Sequence, residues 1–128
     1  MMGKFILWLS AGMFIAYGLA CLFSPALPMG YAGLDAVSGD AIPEIAAMYG
    51  GLQTGFGLFC LAGALRTEFY RPALLALLLC IGALALGRGF WALTAAGAAG
   101  GYTWGALVYE LFTATLAALA LRKGSAQP

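Results

Sequence analysis

Four apolar stretches, each close to the length that crosses a lipid bilayer, dominate this sequence of 128 residues. A transmembrane helix needs about 20 apolar residues to span roughly 30 Å of hydrocarbon. Only 9% of the residues are charged, whereas a soluble domain carries about 25%. We therefore expect an all-α fold, a four-transmembrane-helix integral membrane bundle that forms a single domain over residues 1–128. Its predicted helices cover about residues 5–23, 45–65, 72–94 and 103–121, with an outer loop at 24–43.

The positive charges fall on one side of this predicted bundle. Five cations lie at the amino terminus, in the connection before the third helix, and at the carboxyl end: Lys4, Arg66, Arg71, Arg122 and Lys123. The connections 24–43 and 95–102 contain neither Lys nor Arg. Because cytoplasmic loops are enriched in Lys and Arg, we expect both termini to be cytoplasmic. The expected location is the bacterial cytoplasmic (inner) membrane, and residues 123–128 read as a frayed tail.

The first apolar stretch follows Lys4 and could be mistaken for a signal peptide. Gly18-Leu19-Ala20-Cys21 is a poor lipoprotein-type cleavage site, because glycine stands where leucine is expected. We expect this stretch to be a retained helix.

Arg88 and Glu110 are the two ionisable side chains in the interior of these stretches, on the third and fourth predicted helices. An ionisable residue within a membrane span is a functional-site hypothesis by default. At a rise of about 1.5 Å per residue, the two lie about 9 and 10 Å below the outer ends of their helices. A single Arg or Asp at mid-helix costs about 2.5–3.5 kcal/mol on insertion scales, so we expect the two side chains to pair.

Other polar and aromatic side chains come out at a similar depth. Tyr17 and Tyr49 lie about 8–9 Å below their outer helix ends, and Gln53 lies slightly deeper. Trp91 shares the face of Arg88, and Thr113 shares the face of Glu110. Each predicted helix thus contributes to one layer in the outer half of the membrane, which predicts a ligand-binding site there.

Four interpretations of this layer stay open. The site binds a lipid or a lipophilic small molecule, with Arg88 offering its planar guanidinium to the polar end. Alternatively, Glu110 is a general acid or base, with Tyr17 or Tyr49 as an electrophile, in a membrane enzyme. The ion pair could also serve only to fasten two helices. Finally, the chain could be a homo-oligomer or a small accessory subunit of a larger membrane complex.

The second apolar stretch is unusually rich in glycine. Gly51 and Gly55 form a GxxxG pair, which predicts close helix packing within the chain or between chains. Glu44 lies near the predicted start of this helix, where the helix dipole favours a carboxylate. We assign Glu44 both to capping and, with the neighbouring Tyr49 and Gln53, to the candidate site. The preceding loop is either a lid or binding loop or a solvated linker with one short turn.

The sequence contains no histidine, the commonest ligand for haem, zinc and copper. The cysteines, Cys21, Cys60 and Cys80, are odd in number and have no CxxC spacing, so they give no disulfide or metal signature. We therefore expect no metal and no bound cofactor. Membrane lipids or a lipophilic molecule are the expected partners, and nucleic acid is not.

The chain resembles the DUF4345 family of small four-helix bacterial membrane proteins. The resemblance lies in Glu44-Ile45, Tyr49-Gly50-Gly51, Gln53, Gly55, Phe59, Gly87-Arg88 and Glu110. It implies the fold and the site residues but no activity, since the family has no assigned function. The chain is also broadly similar to the DoxX-like group, some members of which are linked to quinone-dependent oxidation. That similarity implies contact with a quinone at most.

The chain departs from the family pattern at two places. Ala46 and Ala47 stand where family members often have an arginine, and Ala96-Gly97 stands where they often have Asp-Gly. Roles that depend on those charges are therefore not transferred to this chain.

Overall fold

The computed structural model describes residues 1–124, and within them the chain is helical with no strand. The helices are α1 (Met2–Phe23), α2 (Ala26–Ala32), α3 (Ala41–Leu65), α4 (Thr67–Thr94) and α5 (Gly101–Gly124). α1, α3, α4 and α5 are each long and apolar enough to cross a membrane. The described fold is thus all-α, with four helices long and apolar enough to span a membrane, as the apolar stretches predicted. Part of the predicted frayed tail, residues 125–128, lies outside the described residues.

The long helices begin earlier than their apolar stretches. The largest difference is at α4, where Arg66 has an extended backbone (φ −121°, ψ 130°) and the helix begins at Thr67 instead of Pro72. The predicted turn over residues 66–71 is therefore wrong. Proline removes one backbone hydrogen bond to the residue four before it, and Glu68, which loses that donor, is in an exposed first turn. Water can satisfy its carbonyl there, and the Glu68 side chain suits the positive end of the helix dipole.

Two π-helical turns interrupt the regular spacing of the long helices. Residues Ala46–Gly51 form one within α3, and residues Leu77–Ile81 form the other within α4. Such turns contain one residue more than an α-turn and are frequent near functional sites. They change which side chains share a face, so periodicity over these segments is not purely that of an α-helix.

The connection between α1 and α3 contains a short helix and an irregular segment. α2 ends at Gly33, whose φ of 66° lies in the left-handed region that glycine adopts without penalty. Pro28 of α2 is buried, and the Tyr31 hydroxyl donates a hydrogen bond to the Tyr17 hydroxyl on α1. The predicted loop is therefore partly helical, and the second half of it, residues 33–40, is not.

The chain divides into two compact units. The C-terminal unit contains residues 1–7 and all residues from 62 onward, and the N-terminal unit contains residues 8–61. The core of the C-terminal unit is formed by the first turns of α1 with α4 and α5. Its fully or nearly fully buried apolar side chains are Ile6, Leu7, Ala64, Ala73, Leu74, Leu77, Ile81, Ala85, Ala114, Ala117 and Ala120. Small residues let the backbones approach: a Cβ on Gly63 would collide with Ala73 of α4.

In the N-terminal unit, α1 and α3 approach each other at glycines. A Cβ on Gly50 would lie 2.7 Å from the Leu22 Cα atom, and one on Gly57 would lie 2.7 Å from the Ile15 nitrogen. On Gly18, a Cβ would lie 2.5 Å from the Thr54 nitrogen. The backbones therefore touch at these positions, as small residues permit in membrane proteins.

Gly51 and Gly55 do not take this role within the chain. A Cβ at either position would meet nothing within 4 Å among the described residues. Within the chain, the glycines of α3 that approach α1 closely are Gly50 and Gly57, which lie outside the GxxxG pair. Packing of Gly51 and Gly55 against another chain stays a prediction.

The two glycine faces of α3 give a matched test. We expect Gly57→Ala to lower the free energy of unfolding by about 1–3 kcal/mol, because its Cβ would press against the α1 backbone. Gly55→Ala should change it by less than about 1 kcal/mol, in the stabilising direction, because alanine is the better helix former and the space is open. Thermal unfolding of both variants in neutral detergent measures the difference. Equal melting temperatures would contradict the assigned packing.

Candidate functional site

Arg88 of α4 and Glu110 of α5 form a close ion pair. Arg88 Nε donates to both Glu110 carboxylate oxygens at 3.0 Å, and Arg88 Nη2 donates to Oε1 at 2.8 Å. The Glu110 side chain is 7% exposed, and that of Arg88 is 25% exposed. The pairing predicted from the sequence is therefore confirmed.

Pairing lowers the free-energy cost of placing the charges of Arg88 and Glu110 in apolar segments. Arg88 lies six residues before the end of α4, about 9 Å from it along the helix axis. Charge-assisted hydrogen bonds of this kind are stronger than neutral ones, and each partner compensates the charge of the other. The Tyr102 ring, at the start of α5, also lies 5.8 Å from Arg88 Cζ, within the range of a cation–π contact. Both contacts tie α4 to α5.

An open cleft of about 860 Å³ lies beside the guanidinium. It is bordered by the second half of α4, the connection to α5, and the first turn of α5. The lining residues are Cys80, Ala83, Leu84, Gly87, Arg88, Trp91, Ala92, residues 95–99 and Thr103. Among the described residues that line it, Arg88 is the only charged one. The cleft is therefore a mostly apolar surface with a single cationic group.

The cleft follows from the side-chain sizes on one face of α4. Cys80, Leu84, Gly87 and Trp91 are spaced three or four residues apart, so they lie along the same face as Arg88. Most of the remaining lining is alanine or glycine, which leaves room above the helix. Gly97 turns the chain toward α5 with a φ of 108°, which a side chain would strain. Helical spacing would have identified Leu84, four residues before Arg88, and Gly87, four residues before Trp91, in the sequence.

The structure places the predicted site residues in two groups. Arg88, Glu110 and Trp91 lie in the C-terminal unit, and Trp91 lines the cleft with 65% of its surface exposed. Tyr17, Glu44, Tyr49 and Gln53 lie in the N-terminal unit. Their membership in the same site stays a prediction.

Within the N-terminal unit, the local setting of each predicted residue is defined. Glu44 is exposed in the first turn of α3, where the dipole favours it. Tyr49 and Gln53 are half-buried, with Tyr49 in the π-helical turn. The Tyr17 hydroxyl accepts the hydrogen bond from Tyr31 described above. The helix dipole and local hydrogen bonding thus explain part of this set.

Sequence reasoning placed Thr113 on the face of Glu110 but missed the contact of Tyr102 with Arg88 and the burial of Ser10. Tyr102, expected to be an interfacial anchor, also contacts Arg88. Ser10 is completely buried in α1, although serine at that position gives no special signal. Thr113, one turn after Glu110, is also completely buried, and its hydroxyl has no hydrogen-bond partner among the described residues. Glu110 and Thr113 together place a polar strip on the buried face of α5.

The chain belongs to the DUF4345 family, whose model, described as a domain of unknown function, matches residues 2–121. The predicted resemblance is therefore confirmed over nearly the whole chain. No curated protein and no solved structure shows significant similarity to it. Membership in this family assigns no activity to the chain, so the function has to be argued from the site.

A double-mutant cycle tests the importance of the ion pair. We expect Arg88→Met or Glu110→Leu alone to lower the free energy of unfolding by about 2–4 kcal/mol, because each leaves a charge without its partner. The double variant should lose clearly less than the sum of the two and lie within about 1 kcal/mol of the unchanged protein. Unfolding in mixed micelles of neutral detergent and dodecyl sulfate measures all four proteins.

The control is Arg66→Gln, which removes an exposed ion pair with Glu68 at 3.7 Å. That pair is well solvated, so its loss should change the free energy of unfolding by less than about 1 kcal/mol. Purely additive losses for Arg88→Met and Glu110→Leu would show that the two side chains are not energetically coupled.

Proposed function

We propose that this DUF4345 protein binds a lipid or another lipophilic small molecule in the cleft beside Arg88. The observation that carries the proposal is the composition of the cleft: small and apolar side chains surround one partly exposed guanidinium. Small-molecule sites are concave and mostly apolar, with a few polar groups that orient the ligand. The cleft of this chain has that character.

Each part of the cleft suits one part of such a ligand. Leu84, Trp91 and the alanines offer an apolar surface on which a hydrocarbon or ring can pack. Arg88 offers hydrogen-bond donors in a fixed planar arrangement. Because Arg88 lies about 9 Å from the end of α4, a polar end bound there would sit just below the headgroup region.

The exposure of Arg88 favours binding over a purely structural role. A pair that only fastens α4 to α5 gains nothing from an opening, yet a quarter of the Arg88 side chain is exposed at the cleft. Catalysis by Glu110 has less support. Both of its oxygens accept hydrogen bonds from Arg88 and only 7% of its side chain is exposed, which leaves a substrate little access to the carboxylate.

For the orientation, we propose cytoplasmic termini in the bacterial cytoplasmic membrane, which puts the cleft in the outer half. The support is the distribution of Lys4, Arg66, Arg71, Arg122 and Lys123. Arg66 lies between α3 and α4, and Arg122 and Lys123 lie in the last turn of α5. The opposite connections contain no Lys or Arg.

Reporter fusions test this orientation. A green fluorescent protein at the carboxyl terminus should fluoresce in bacterial cells, and alkaline phosphatase at the same place should be inactive. Alkaline phosphatase inserted in the 33–40 segment should be active, because it would be exported. The reverse pattern would place the cleft in the cytoplasmic half and refute the proposed orientation.

Filling the cleft tests the proposed binding. A Cβ on Gly87 or on Gly105 would meet nothing within 4 Å, and only Gly87 lines the cleft. We expect Gly87→Leu to lower lipid retention by about tenfold, since losing contact with about two methylenes accounts for that factor. Gly105→Leu is the matched control and should retain the ligand. Native mass spectrometry of the detergent-purified proteins counts the bound molecules, and equal retention would overturn the proposal.

A further inference from the structure

We propose that the ligand of the cleft is electrically neutral and carries carbonyl or ester oxygens at its polar end, in contrast to an anionic headgroup. This inference rests on the proposed function and adds the chemical class of the ligand. Its basis is the charge balance around Arg88 and the kinds of polar side chain that line the cleft.

The positive charge of Arg88 is already compensated. Glu110 accepts from two of its nitrogens at 2.8–3.0 Å, so the guanidinium and carboxylate together carry no net charge. An anion that approached Arg88 from the cleft would be attracted by the guanidinium and repelled by the carboxylate just behind it. At about twice the distance, the carboxylate offsets roughly half of the attraction, while the anion would still lose its hydration. A neutral acceptor loses much less hydration and still gains a charge-assisted hydrogen bond.

No second cation among the described lining residues could bind an anion together with Arg88. Among the described residues that line the cleft, all except Arg88 are uncharged. The nearest cation before it in α4 is Arg71, about 25 Å away along the helix. In α5, Arg122 and Lys123 lie in the last turn, at the end opposite to the cleft. A phosphate group would therefore meet one compensated arginine and the amino end of α5, whose favourable dipole is opposed by the carbonyl end of α4 that borders the same cleft. Phosphate sites, in contrast, ordinarily gather several cations or backbone donors.

The polar side chains of the lining are donors. Arg88 and Trp91 can only donate hydrogen bonds, and the Thr103 hydroxyl can donate as well as accept. The lining has no carboxylate and no side-chain amide within the described residues. A ligand that supplies acceptor oxygens without a charge matches this set. The ester region of a neutral glyceride has this chemistry, and so does a lipophilic ring ketone.

Cys80 provides a reporter at the cleft itself. It is exposed and lines the cleft, whereas Cys21 and Cys60 are both completely buried. A bound ligand should therefore shield the Cys80 thiol from a small uncharged reagent. The two buried cysteines serve as internal controls for unfolding.

The experiment compares two lipids that share their acyl chains. The delipidated protein in neutral maltoside micelles is treated with N-ethylmaleimide, alone or with dioleoylglycerol or dioleoylphosphatidate, and labelling is followed by intact mass. We expect dioleoylglycerol to slow the labelling of Cys80 at concentrations about tenfold lower than dioleoylphosphatidate, because the phosphate must give up hydration that the compensated Arg88 does not replace. A neutral ring ketone with a prenyl tail is the third probe. Its protection relative to dioleoylglycerol distinguishes a redox-type lipid from a glyceride.

Glu110→Gln supplies the decisive comparison. Without the carboxylate, the charge of Arg88 is uncompensated, so the preference should reverse and dioleoylphosphatidate should protect Cys80 better than dioleoylglycerol. Arg88→Gln should lose the protection by both lipids. Circular dichroism and the labelling of Cys21 and Cys60 verify that each variant is folded, and the comparison in the unchanged protein needs no variant at all.

The outcomes separate the two proposals. If neither lipid nor the ring ketone protects Cys80 in the unchanged protein, the proposed binding function fails. If dioleoylphosphatidate protects at the lower concentration there, binding stands and the neutral ligand class is refuted. Equal protection by both lipids in the unchanged protein and in Glu110→Gln would also refute it, because the carboxylate would then have no part in selection.

Discussion

The ion pair between Arg88 and Glu110 is the interaction on which the arrangement of α4 and α5 depends. Both side chains lie in segments where neither could remain without a partner at tolerable cost. Three hydrogen bonds within 3.0 Å hold them together. The pair fixes one position of α4 against one position of α5, whereas the surrounding alanines and leucines would permit several. Glu110 binds one side of the guanidinium, and the small side chains of the cleft leave the other side open.

The sequence predicted best those features whose violation costs the most free energy, namely the length of a spanning helix and the pairing of charges within it. Hydrocarbon thickness sets the length of a spanning helix, so the apolar stretches located the four long helices, and their ends at Phe23, Leu65 and Thr94 coincide with the expected ones. The scarcity of charge singled out Arg88 and Glu110. Spacing on α4 then put Trp91 on the correct face, and the same reasoning extends to Leu84 and Gly87.

Other features depend on contacts that no local pattern contains. Gly50 faces α1 and the adjacent Gly51 does not. The π-helical turn at Ala46–Gly51 changes which side chains share a face compared with a regular α-helix. α4 can begin at Thr67 because water can donate a hydrogen bond to the carbonyl that Pro72 leaves without a partner in the exposed first turn. Tyr31 meets Tyr17 through the path of a connection that was predicted as either a lid or binding loop or a solvated linker, and neither prediction specified this contact. The membership of Tyr17, Tyr49, Gln53 and Glu44 in the site remains a prediction for the same reason.

The wide turn at Leu77–Ile81 has a consequence for the chemistry two turns further along α4. A helix advances by about 100° around its axis with each residue. Because the turn contains one residue more than an α-turn, a single deletion within Leu77–Ile81 can be absorbed by conversion to an α-turn. A deletion in the regular segment between Gly82 and Arg88 has no such outlet and would turn Arg88 by about 100° away from Glu110. The number of residues between Gly82 and Arg88 is therefore a more stringent requirement than their identity, because substitutions there leave the direction of Arg88 unchanged and a deletion does not.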